Sequence, residues 1–344
     1  MIRFECDYAE GAHTYVLSSL IDNNFEQTKG YGEDEHCENA RRLIRQLCGD
    51  ETIDVHFLVG GTQTNMTVIS SVLRPHQGVL AVDSGHINVH ETGAIEATGH
   101  KIIAVEGKNG KITASQIEQA HAKHWADVNH EHAVQPGMVY ISHPTEKGTI
   151  YSKQELQDIS KVCRACGLPL YMDGARLGYG LVAEGNDLNL PDITELCDVF
   201  YIGGTKVGTL FGEAVVITNN DLKKDFRYVM KQRGGMLAKG QLLGIQFEAL
   251  FIDGLYFKIS RRAIQMAMLI RDAFKSRGFS FFSESPTNQQ FPILTEEQIS
   301  VLSQKYAFEL WAKIDDNHTA VRFCTSWATL EENVQALIKD IGDL

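Results

Sequence analysis

The sequence has no apolar run long enough to cross a bilayer and no excess of basic residues. The first absence argues against a membrane-spanning protein, because a spanning helix needs about 20 apolar residues. The second argues against nucleic acid and anionic membranes as partners, because a net charge of -12 repels phosphate groups. The opening MIRFECDYAEGAH also lacks the basic start and apolar middle of a signal peptide. We therefore expect a soluble cytoplasmic protein that acts on a small molecule.

Several familiar motifs are missing as well. The seven cysteines are scattered and odd in number, so no disulfide framework is predicted. Cys163 and Cys166 form a single CxxC in a helical pattern, without the second ligand pair that a zinc site requires, and we interpret them as ordinary helical cysteines. GxGxxG, GxxxxGKS and HExxH motifs are all absent, so neither nucleotide binding nor a zinc peptidase is signalled.

The pattern that is present predicts an α/β fold. Between residues 50 and 220, short apolar runs alternate with amphipathic segments, which is typical of a mostly parallel sheet with helical crossovers. The runs are DVHFLVG, VLAVDS, KIIAVE, MVYISH, LPLYMD, DVFYIGG and EAVVIT. A long helical region then leads to FSFFSE, FPIL, YAFELWAKI and AVRFCTSW, predicted as short strands of a smaller layer, and to a terminal helix. We predict an arm and large domain over 1–253 and a small C-terminal α/β domain over 254–344.

Three features lie at the ends of predicted strands, where open α/β sheets bind their ligands. VGGTQTN is a strand end and glycine turn before a helix, which can seat a phosphate on bare amides or can be plain turn chemistry. Asp173 ends the run LPLYMD, and Lys206 follows FYIGG among glycines. Taken singly, Lys206 could be a solvated charge and Asp173 could simply pair with Arg176.

The order of these three features predicts pyridoxal phosphate as cofactor. A lysine between glycines suits a Schiff base with an aldehyde. An acid at the end of a buried strand needs a cation, and the protonated pyridine nitrogen of the cofactor supplies one. A phosphate turn, an acid on one strand and a lysine after a later strand of the same sheet therefore favour one cofactor site over three unrelated features.

Two other sets of residues are candidates for the site. His86 follows a predicted strand, where its ring could lie against a flat cofactor or act as a base, whereas His90 is interpreted as structural. His86, His90 and Glu91 could alternatively bind a metal, although no third ligand at a suggestive spacing is visible. Arg322 lies in AVRFCTSW and could bind a carboxylate with its planar fork, or face solvent.

The order and wording of the motifs resemble the threonine aldolase and β-eliminating lyase family of pyridoxal-phosphate enzymes, which have the aspartate-aminotransferase type of fold (fold type I). The resemblance runs from KGYGEDE and GGTQTN through DSGH, MDGARL and GGTKVG to PTNQQF and VRFCTSW, nearly the whole chain. Each motif is short, but their order and spacing are specific.

The resemblance implies a role for each site residue. Lys206 would carry the Schiff base, Asp173 would pair with the ring nitrogen, and His86 would stack on the ring. Gly61, Thr62 and Gln63 would hold the phosphate, while Arg176 and Arg322 would face the ring 3-oxygen and the substrate carboxylate. Family members are commonly tetramers built from dimers that share their sites, so Tyr31, Arg233 and Lys239 are candidates for reaching a neighbouring subunit.

The sequence departs from the family pattern at two places. Cys6 stands before Asp7, where the family has a serine that binds the carboxylate. Threonine aldolases also carry an Asn-Thr-His-like stretch whose histidine approaches the β-hydroxyl group of the substrate. Here the stretch is ISHPTEKG, with His143 displaced by about two positions and Thr145 near the expected place. His86 is therefore our first candidate for the base and His143 the second.

We predict a carbon-carbon lyase that cleaves a β-hydroxy-α-amino acid of the threonine or allo-threonine type to glycine and an aldehyde. β-Elimination or transamination would use the same cofactor residues and differ in product. A metal hydrolase built on His86 and His90 would lose activity to a chelator. A binding or regulatory protein that keeps the fold would turn over no amino acid.

Overall fold

A computed structural model describes the whole chain, residues 1–344. The strands are β1 (Ile2–Arg3), β2 (Asp54–Leu58), β3 (Gln77–Val82), β4 (Ile102–Val105), β5 (Gln135–Ser142), β6 (Leu170–Asp173), β7 (Val199–Gly203), β8 (Glu213–Ile217), β9 (Gln289–Gln290), β10 (Ile293–Thr295), β11 (Tyr306–Ala307), β12 (Glu309–Lys313) and β13 (His318–Cys324). The helices are α1 (Thr14–Asp22), α2 (Glu35–Cys48), α3 (Gly61–Val72), α4 (His86–Val89), α5 (Ala114–Ala126), α6 (Lys153–Cys166), α7 (Leu177–Leu181), α8 (Leu190–Leu196), α9 (Phe226–Gln232), α10 (Gln241–Phe251), α11 (Leu255–Ser276), α12 (Glu296–Ser303) and α13 (Glu331–Gly342). None of the helices is both long and apolar enough to cross a bilayer.

The seven apolar runs form one sheet, as predicted. Its strand order is β2-β8-β7-β6-β5-β3-β4. Strands β7, β6, β5, β3 and β4 are parallel to one another, and β8 is antiparallel to both of its neighbours. The strands are apolar on both faces because helices cover both faces of a sheet of this kind. The mostly parallel α/β architecture is therefore confirmed.

The register of the central strands brings three tyrosines onto one face of the sheet. Tyr140 pairs with Tyr171 across β5 and β6, and their rings pack edge to face with centroids 5.7 Å apart. Tyr201 on β7 continues the row, its ring centroid 6.4 Å from that of Tyr171. The same register pairs Ser142 with Asp173 at the carboxyl ends of β5 and β6. Alternation along each strand therefore places the three tyrosines and Asp173 on the same face, where the hydroxyls of Tyr140 and Tyr201 donate to Asp173.

The predicted boundary falls at a break between two helices. Asp253 and Gly254 both adopt left-handed backbone conformations, with φ of 52° and 66°, between α10 and α11. Beyond the break, β10, β13 and β12 form an antiparallel sheet, with β9 also paired to β13. The division into domains at this point stays a prediction.

The predicted strand FSFFSE does not form. Only an isolated bridge joins Phe281 to Pro292, although Phe282 donates to the Phe291 carbonyl and Ile293 to the Ser280 carbonyl. These two hydrogen bonds flank the Phe281–Pro292 pair and the pairing does not continue beyond them, so the segment contributes one bridge and not a strand.

The N-terminal segment packs on the C-terminal part of the chain. Strand β1 pairs in parallel with β11, and the N–H of Cys324 donates to the Phe4 carbonyl at 2.7 Å. These contacts hold residues 5–8 beside β13, near the carboxyl ends of the main sheet. The arm that precedes the first predicted strand therefore contributes to the region where the sheet is expected to bind its ligand.

Candidate active site

A cavity of about 830 Å³ opens at the carboxyl ends of the central strands. Its volume is typical of pockets that hold a cofactor and a small substrate. Seven of the predicted site residues line it, namely Gly61, Thr62, His86, Asp173, Arg176, Lys206 and Arg322. Residues that are far apart in sequence therefore meet at the sheet edge where ligands were expected.

Asp173 forms the floor of the cavity and accepts four hydrogen bonds. Its Oδ1 accepts from the Tyr201 hydroxyl at 2.6 Å and the Ala175 N–H at 3.0 Å. Its Oδ2 accepts from the Tyr140 hydroxyl at 2.8 Å and the Asn65 amide at 3.1 Å. Burial alone would raise the pKa of Asp173, but the charge of His86 and these donors outweigh burial and lower it. The floor therefore carries a negative charge that suits a cationic ring nitrogen.

Lys206 lies in the turn between β7 and β8, facing the same cavity. The tight approach of this turn to the end of β6 depends on Gly203, since an added Cβ would lie 2.3 Å from the Ala175 carbonyl oxygen. Burial and the charge of Arg176 lower the pKa of the Lys206 amine, although Asp7, Asp173 and Glu213 oppose this effect. A lowered pKa favours the neutral, nucleophilic amine that bonding to an aldehyde requires.

Glu213, at the start of β8, is a cavity residue that sequence reasoning missed. It is 3% exposed and accepts from the Gly204 N–H at 3.2 Å. Burial raises the pKa of Glu213, whereas its hydrogen bond from Thr205 and the charge of Lys206 act in the opposite direction without cancelling the rise. A buried carboxyl whose pKa is raised to about 8 therefore lies beside the Lys206 turn.

His86 is held by a carboxylate behind it. Its Nδ1 lies 2.7 Å from Oε1 of the buried Glu91, and the same oxygen accepts from the Asn65 amide at 2.7 Å. Asn65 also donates to Asp173, so one chain of hydrogen bonds orients both His86 and Asp173. Sequence reasoning missed Asn65, whose only signal was its place in the first turns of α3.

His90 lies on the cavity wall beside His86, although it was interpreted as structural. The two imidazole centroids are 5.6 Å apart, and the Glu91 carboxylate binds one of the two rings. No group of three His, Cys, Asp or Glu side chains in the molecule is arranged to hold a metal ion.

The predicted phosphate turn opens helix α3, whose first amides face the cavity at Gly61 and Thr62. A Cβ on Gly61 would lie 3.2 Å from the Tyr201 hydroxyl, so the turn packs closely on the residue that also holds Asp173. Gln63 does not line the cavity. Its side-chain oxygen accepts from the Val59 N–H and its NH₂ donates to the Arg233 carbonyl, so its amide is used to brace the turn.

Arg176 lines the cavity and is anchored by Asp7. Its Nε and Nη2 donate to the two oxygens of Asp7 at 2.6 and 3.0 Å, and the Asn288 amide donates to Asp7 at 2.9 Å. Burial would raise the pKa of Asp7, but Arg176, Lys206 and the hydrogen bonds lower it to about 2. The neighbouring Cys6, at the place where the family has a serine, also lines the cavity.

Arg322 lies at the mouth of the cavity, with its guanidinium 5.1 Å from the Trp311 ring centroid. It donates to the Gln289 side chain at 3.1 Å and to the Glu5 carbonyl at 3.2 Å. Its Nη2 also forms an ion pair with Glu309, and its buried Nε has no hydrogen-bond partner. Arg322 therefore already binds a carboxylate here, which shows that its fork is accessible to one.

The segment ISHPTEKG presents other residues to the cavity than the one expected. His143 is fully buried, does not line the cavity, and accepts from the Tyr151 N–H at 3.3 Å. Ser142, Pro144 and Glu146 line the cavity instead. His143 therefore lies behind the wall, because the strand end that carries it turns its side chain away from the pocket.

The residues proposed to reach a neighbouring subunit lie outside the cavity. Tyr31 has a left-handed φ of 62° and is 46% exposed, and the Lys231 amine lies 4.5 Å from its ring centroid. Arg233 keeps a buried Nε without a partner, and its carbonyl accepts from Gln63. Lys239 is exposed in the loop before α10.

The fold and the cavity define an α/β protein of the aspartate-aminotransferase type. Aspartate aminotransferase of Thermus thermophilus superposes with a TM-score of 0.71 at 12% identity, over 99% of this chain and 96% of that one. At that identity the likeness concerns the fold alone, and it confirms the predicted architecture.

Residues 22–309 match the beta-eliminating lyase family, and the chain belongs to that family. A structure of threonine aldolase from Leishmania major is 43% identical, covers 100% of this chain and 99% of its own, and superposes with a TM-score of 0.97. The low specificity L-threonine aldolase of Pseudomonas aeruginosa is 28% identical over 98% of this chain and 96% of its own length. The resemblance found in the sequence motifs is therefore confirmed.

Proposed function

We propose that this chain is a pyridoxal-phosphate-dependent lyase that cleaves a β-hydroxy-α-amino acid of the threonine type to glycine and an aldehyde. The observation that carries the proposal is the meeting of Lys206, the ionised Asp173 and the α3 turn in one cavity. The two relatives named above as threonine aldolases support the choice of substrate class.

The residues of the cavity fit the cofactor. Asp173 offers a buried, ionised carboxylate that has no direct ion-pair partner, and the protonated pyridine nitrogen would be one. The first amides of α3 at Gly61 and Thr62 suit the phosphate, because a helix N-terminus attracts an anion. Lys206 would bond to the cofactor aldehyde, and His86 would lie against the ring. When bound, the cofactor supplies an electron sink conjugated to the Cα atom of the substrate.

The protein's own contribution is to hold and orient the amino acid. Arg322 would exchange Glu309 for the substrate carboxylate, with Trp311 supporting its guanidinium. Arg176, which Asp7 holds rigidly, would assist at the same end. Fixing the carboxylate fixes the rotation about the bond to Cα, so the Cα–Cβ bond can be held in the orientation that allows cleavage.

The finer assignments are part of the same proposal. We place the protein in the cytoplasm because its seven cysteines are all free, which suits a reducing compartment. We also propose a homodimer or homotetramer, in which Tyr31, Arg233 and Lys239 approach the site of a neighbouring copy. The exposed side chains of Tyr31, Phe25 at 93% and Tyr228 at 78% exposure support apolar contacts with another copy of the chain.

The decisive experiment records the visible spectrum of the purified protein and then assays aldehyde after addition of threonine, allo-threonine or phenylserine. Lys206→Ala should abolish aldehyde release and remove the absorption band of the lysine-bound cofactor, because no amine remains to bond to the aldehyde. Lys161→Ala, an exposed lysine on α6, is the matched control and should behave as wild type.

The outcomes separate the alternatives. A colourless protein that takes up no pyridoxal phosphate would contradict the whole proposal. A coloured protein that releases ammonia and a keto acid, and no aldehyde, would retain the cofactor and catalyse elimination. A keto acid formed without ammonia would indicate transamination. If the protein has no visible absorption band and loses its activity when a chelator is added, the metal hydrolase built on His86 and His90 would be favoured.

A further inference from the structure

Glu146 is a buried carboxyl on the cavity wall to which the proposed function assigns no role. It is 8% exposed and follows β5 in the segment ISHPTEKG. Its Oε1 accepts from the Ser142 hydroxyl at 2.6 Å and from the His86 N–H at 3.0 Å. Its Oε2 is buried and has no hydrogen-bond partner. Such an unsatisfied atom is rare in native proteins and requires an explanation, of which a ligand group is one.

The charged and titratable groups around Glu146 keep its proton affinity high. Burial raises the pKa of Glu146, and the negative charge of Asp173 on β6 raises it further. The hydrogen bonds from Ser142 and the backbone and the charge of His86 on α4 oppose the rise without cancelling it. The other two titratable neighbours, Tyr140 and Tyr151, have pKa values raised by burial and therefore stay neutral. A carboxyl with a raised pKa is a better proton acceptor near neutral pH than an ordinary one.

The two histidines that were candidates for the base are less well placed. His143 lies behind the cavity wall with its ring against Tyr151. His86 has one ring nitrogen committed to Glu91 at 2.7 Å, and in the proposed function its ring face covers the cofactor. In the segment ISHPTEKG, Glu146 lines the cavity and His143 does not. The Glu146 carboxyl also accepts a hydrogen bond from the backbone N–H of His86.

We propose that Oε2 of Glu146 accepts the proton of the substrate's β-hydroxyl group. The inference rests on the proposed function, because it needs a β-hydroxy-α-amino acid in the cavity. As the O–H bond breaks, its electron pair forms the C=O bond of the aldehyde, and the Cα–Cβ bond breaks with its pair remaining on the Cα side. Cα then gains one proton to give glycine, and Glu146 gives the accepted proton back to solvent, so no oxidant or reductant is needed.

The first test is Glu146→Gln in the holoenzyme. The amide is isosteric and its oxygen can still accept from Ser142 and the His86 N–H, but it cannot take up a proton. The kcat for aldehyde release from threonine should fall by about 10²–10⁴-fold, the usual size of a general-base contribution. Glycine has no β-hydroxyl group, so its dissociation constant, measured by visible titration, and the exchange of its Cα hydrogen in D₂O, measured by NMR, should stay as in wild type.

Glu297→Gln, an exposed glutamate of α12, is the matched control and should leave all three measurements unchanged. Loss of glycine binding and hydrogen exchange in Glu146→Gln, in parallel with cleavage, would overturn the proposal and make Glu146 a structural residue. Full retention of cleavage would overturn it too. If wild type releases no aldehyde from any β-hydroxy amino acid, the proposed function fails and the Glu146 assignment fails with it.

A second variant covers the case in which Glu146→Gln does not fold. Ser142→Ala removes the hydroxyl that lowers the pKa of Glu146, so Glu146 should hold its proton up to a higher pH. In wild type kcat should fall as the pH drops through the pKa of Glu146, and in Ser142→Ala that fall should begin at a higher pH. An acid limb that does not move would contradict the proposal, because a purely structural carboxyl would leave the limb in place.

Discussion

Asp173 and Glu213 are two buried carboxyl groups of one cavity, at the ends of strands β6 and β8, with exposed fractions of 5% and 3%. Burial has opposite outcomes for them, since the pKa of Asp173 is lowered and that of Glu213 is raised. Four donors surround Asp173, two of them tyrosine hydroxyls. Glu213 has the Gly204 N–H at 3.2 Å and a contact with Thr205. The charge of His86 and the larger number of donors, and not the depth of burial, distinguish the pKa of Asp173 from that of Glu213.

The difference matches two chemical tasks. An ionised Asp173 is suited to hold a cation in place, whereas the raised pKa of Glu213 reduces the negative charge next to Lys206. A second carboxylate beside Lys206 would hold its amine protonated and make it a poorer nucleophile. The cavity can therefore contain several acids and still keep a reactive amine.

Asp7 is a third buried carboxyl for comparison. Its replacement should cause the largest loss of unfolding free energy. Asp7→Asn would leave the buried guanidinium of Arg176 without its counter-charge, which typically costs about 3–5 kcal/mol of the free energy of unfolding. Urea unfolding at neutral pH measures this loss. The contribution of Asp7 is present above its unfolded pKa of 3.8 and is lost as the pH falls through about 2. The gap between wild type and variant should therefore narrow over that acid range.

Asp272→Asn is the matched control for this prediction. Asp272 also pairs with an arginine, Arg271 at 2.9 Å, but it is exposed to solvent. An exposed pair contributes little. Equal losses of unfolding free energy in Asp7→Asn and Asp272→Asn would show that burial does not make the Asp7–Arg176 pair more important for stability than an exposed pair.

Tyr201→Phe tests the donors of Asp173. The change removes the shortest of the four hydrogen bonds and should cost about 1–3 kcal/mol of cofactor binding. The pKa of Asp173 should rise, so the holoenzyme should lose its cofactor at a higher pH than wild type when it is titrated with acid. Absorbance of the bound cofactor against pH measures both effects.

Tyr171→Phe provides the comparison for Tyr201→Phe. Tyr171 lies on the same face of the sheet, but its hydroxyl donates to Asn65 and not to Asp173. Removal of the Tyr171 hydroxyl should leave the pH at which the holoenzyme loses its cofactor nearly unchanged. A shift as large as that of Tyr201→Phe would mean that general loosening of the sheet, and not a lost donor, controls the charge of Asp173.

The sequence allowed prediction of the features that depend on local pattern. The apolar runs, the α3 turn and the strand-end positions of Asp173 and Lys206 follow from periodicity and chain order, and the sheet confirms their placement. Pairs distant along the chain, such as Asp7 with Arg176, leave no local signal. The choice between His143 and Glu146 depends on which side chain of one short segment faces inward, and spacing alone does not reveal this.

At the domain boundary, too, some features have a local sequence signal and others have none. The break at Gly254 has a glycine signal, so it could be expected from the sequence. The pairing of β1 with β11 joins the two ends of the chain, and two-residue strands carry no recognisable pattern. The strand pairing that places residues 5–8 beside the cavity was therefore not predicted, and only the family resemblance implied that the position of Cys6 lies at the site.

Glu213→Gln should have the smallest effect on aldehyde release at neutral pH, because an amide resembles the protonated carboxyl that the raised pKa favours. A carboxyl whose folded-state pKa is raised stabilises the protein below its unfolded pKa, and this stability is lost as the pH rises through the folded-state value. In the apoprotein, wild type should therefore lose thermal stability relative to Glu213→Gln as the pH rises from about 4.5 to about 8, and the difference should level off above that range. Glu332→Gln, on the exposed first turn of α13, should show no such trend. A gap between wild type and Glu213→Gln that stays constant with pH would mean that Glu213 is ionised in the folded state, as Asp173 is, and that Thr205 and the Gly204 N–H suffice to hold its charge.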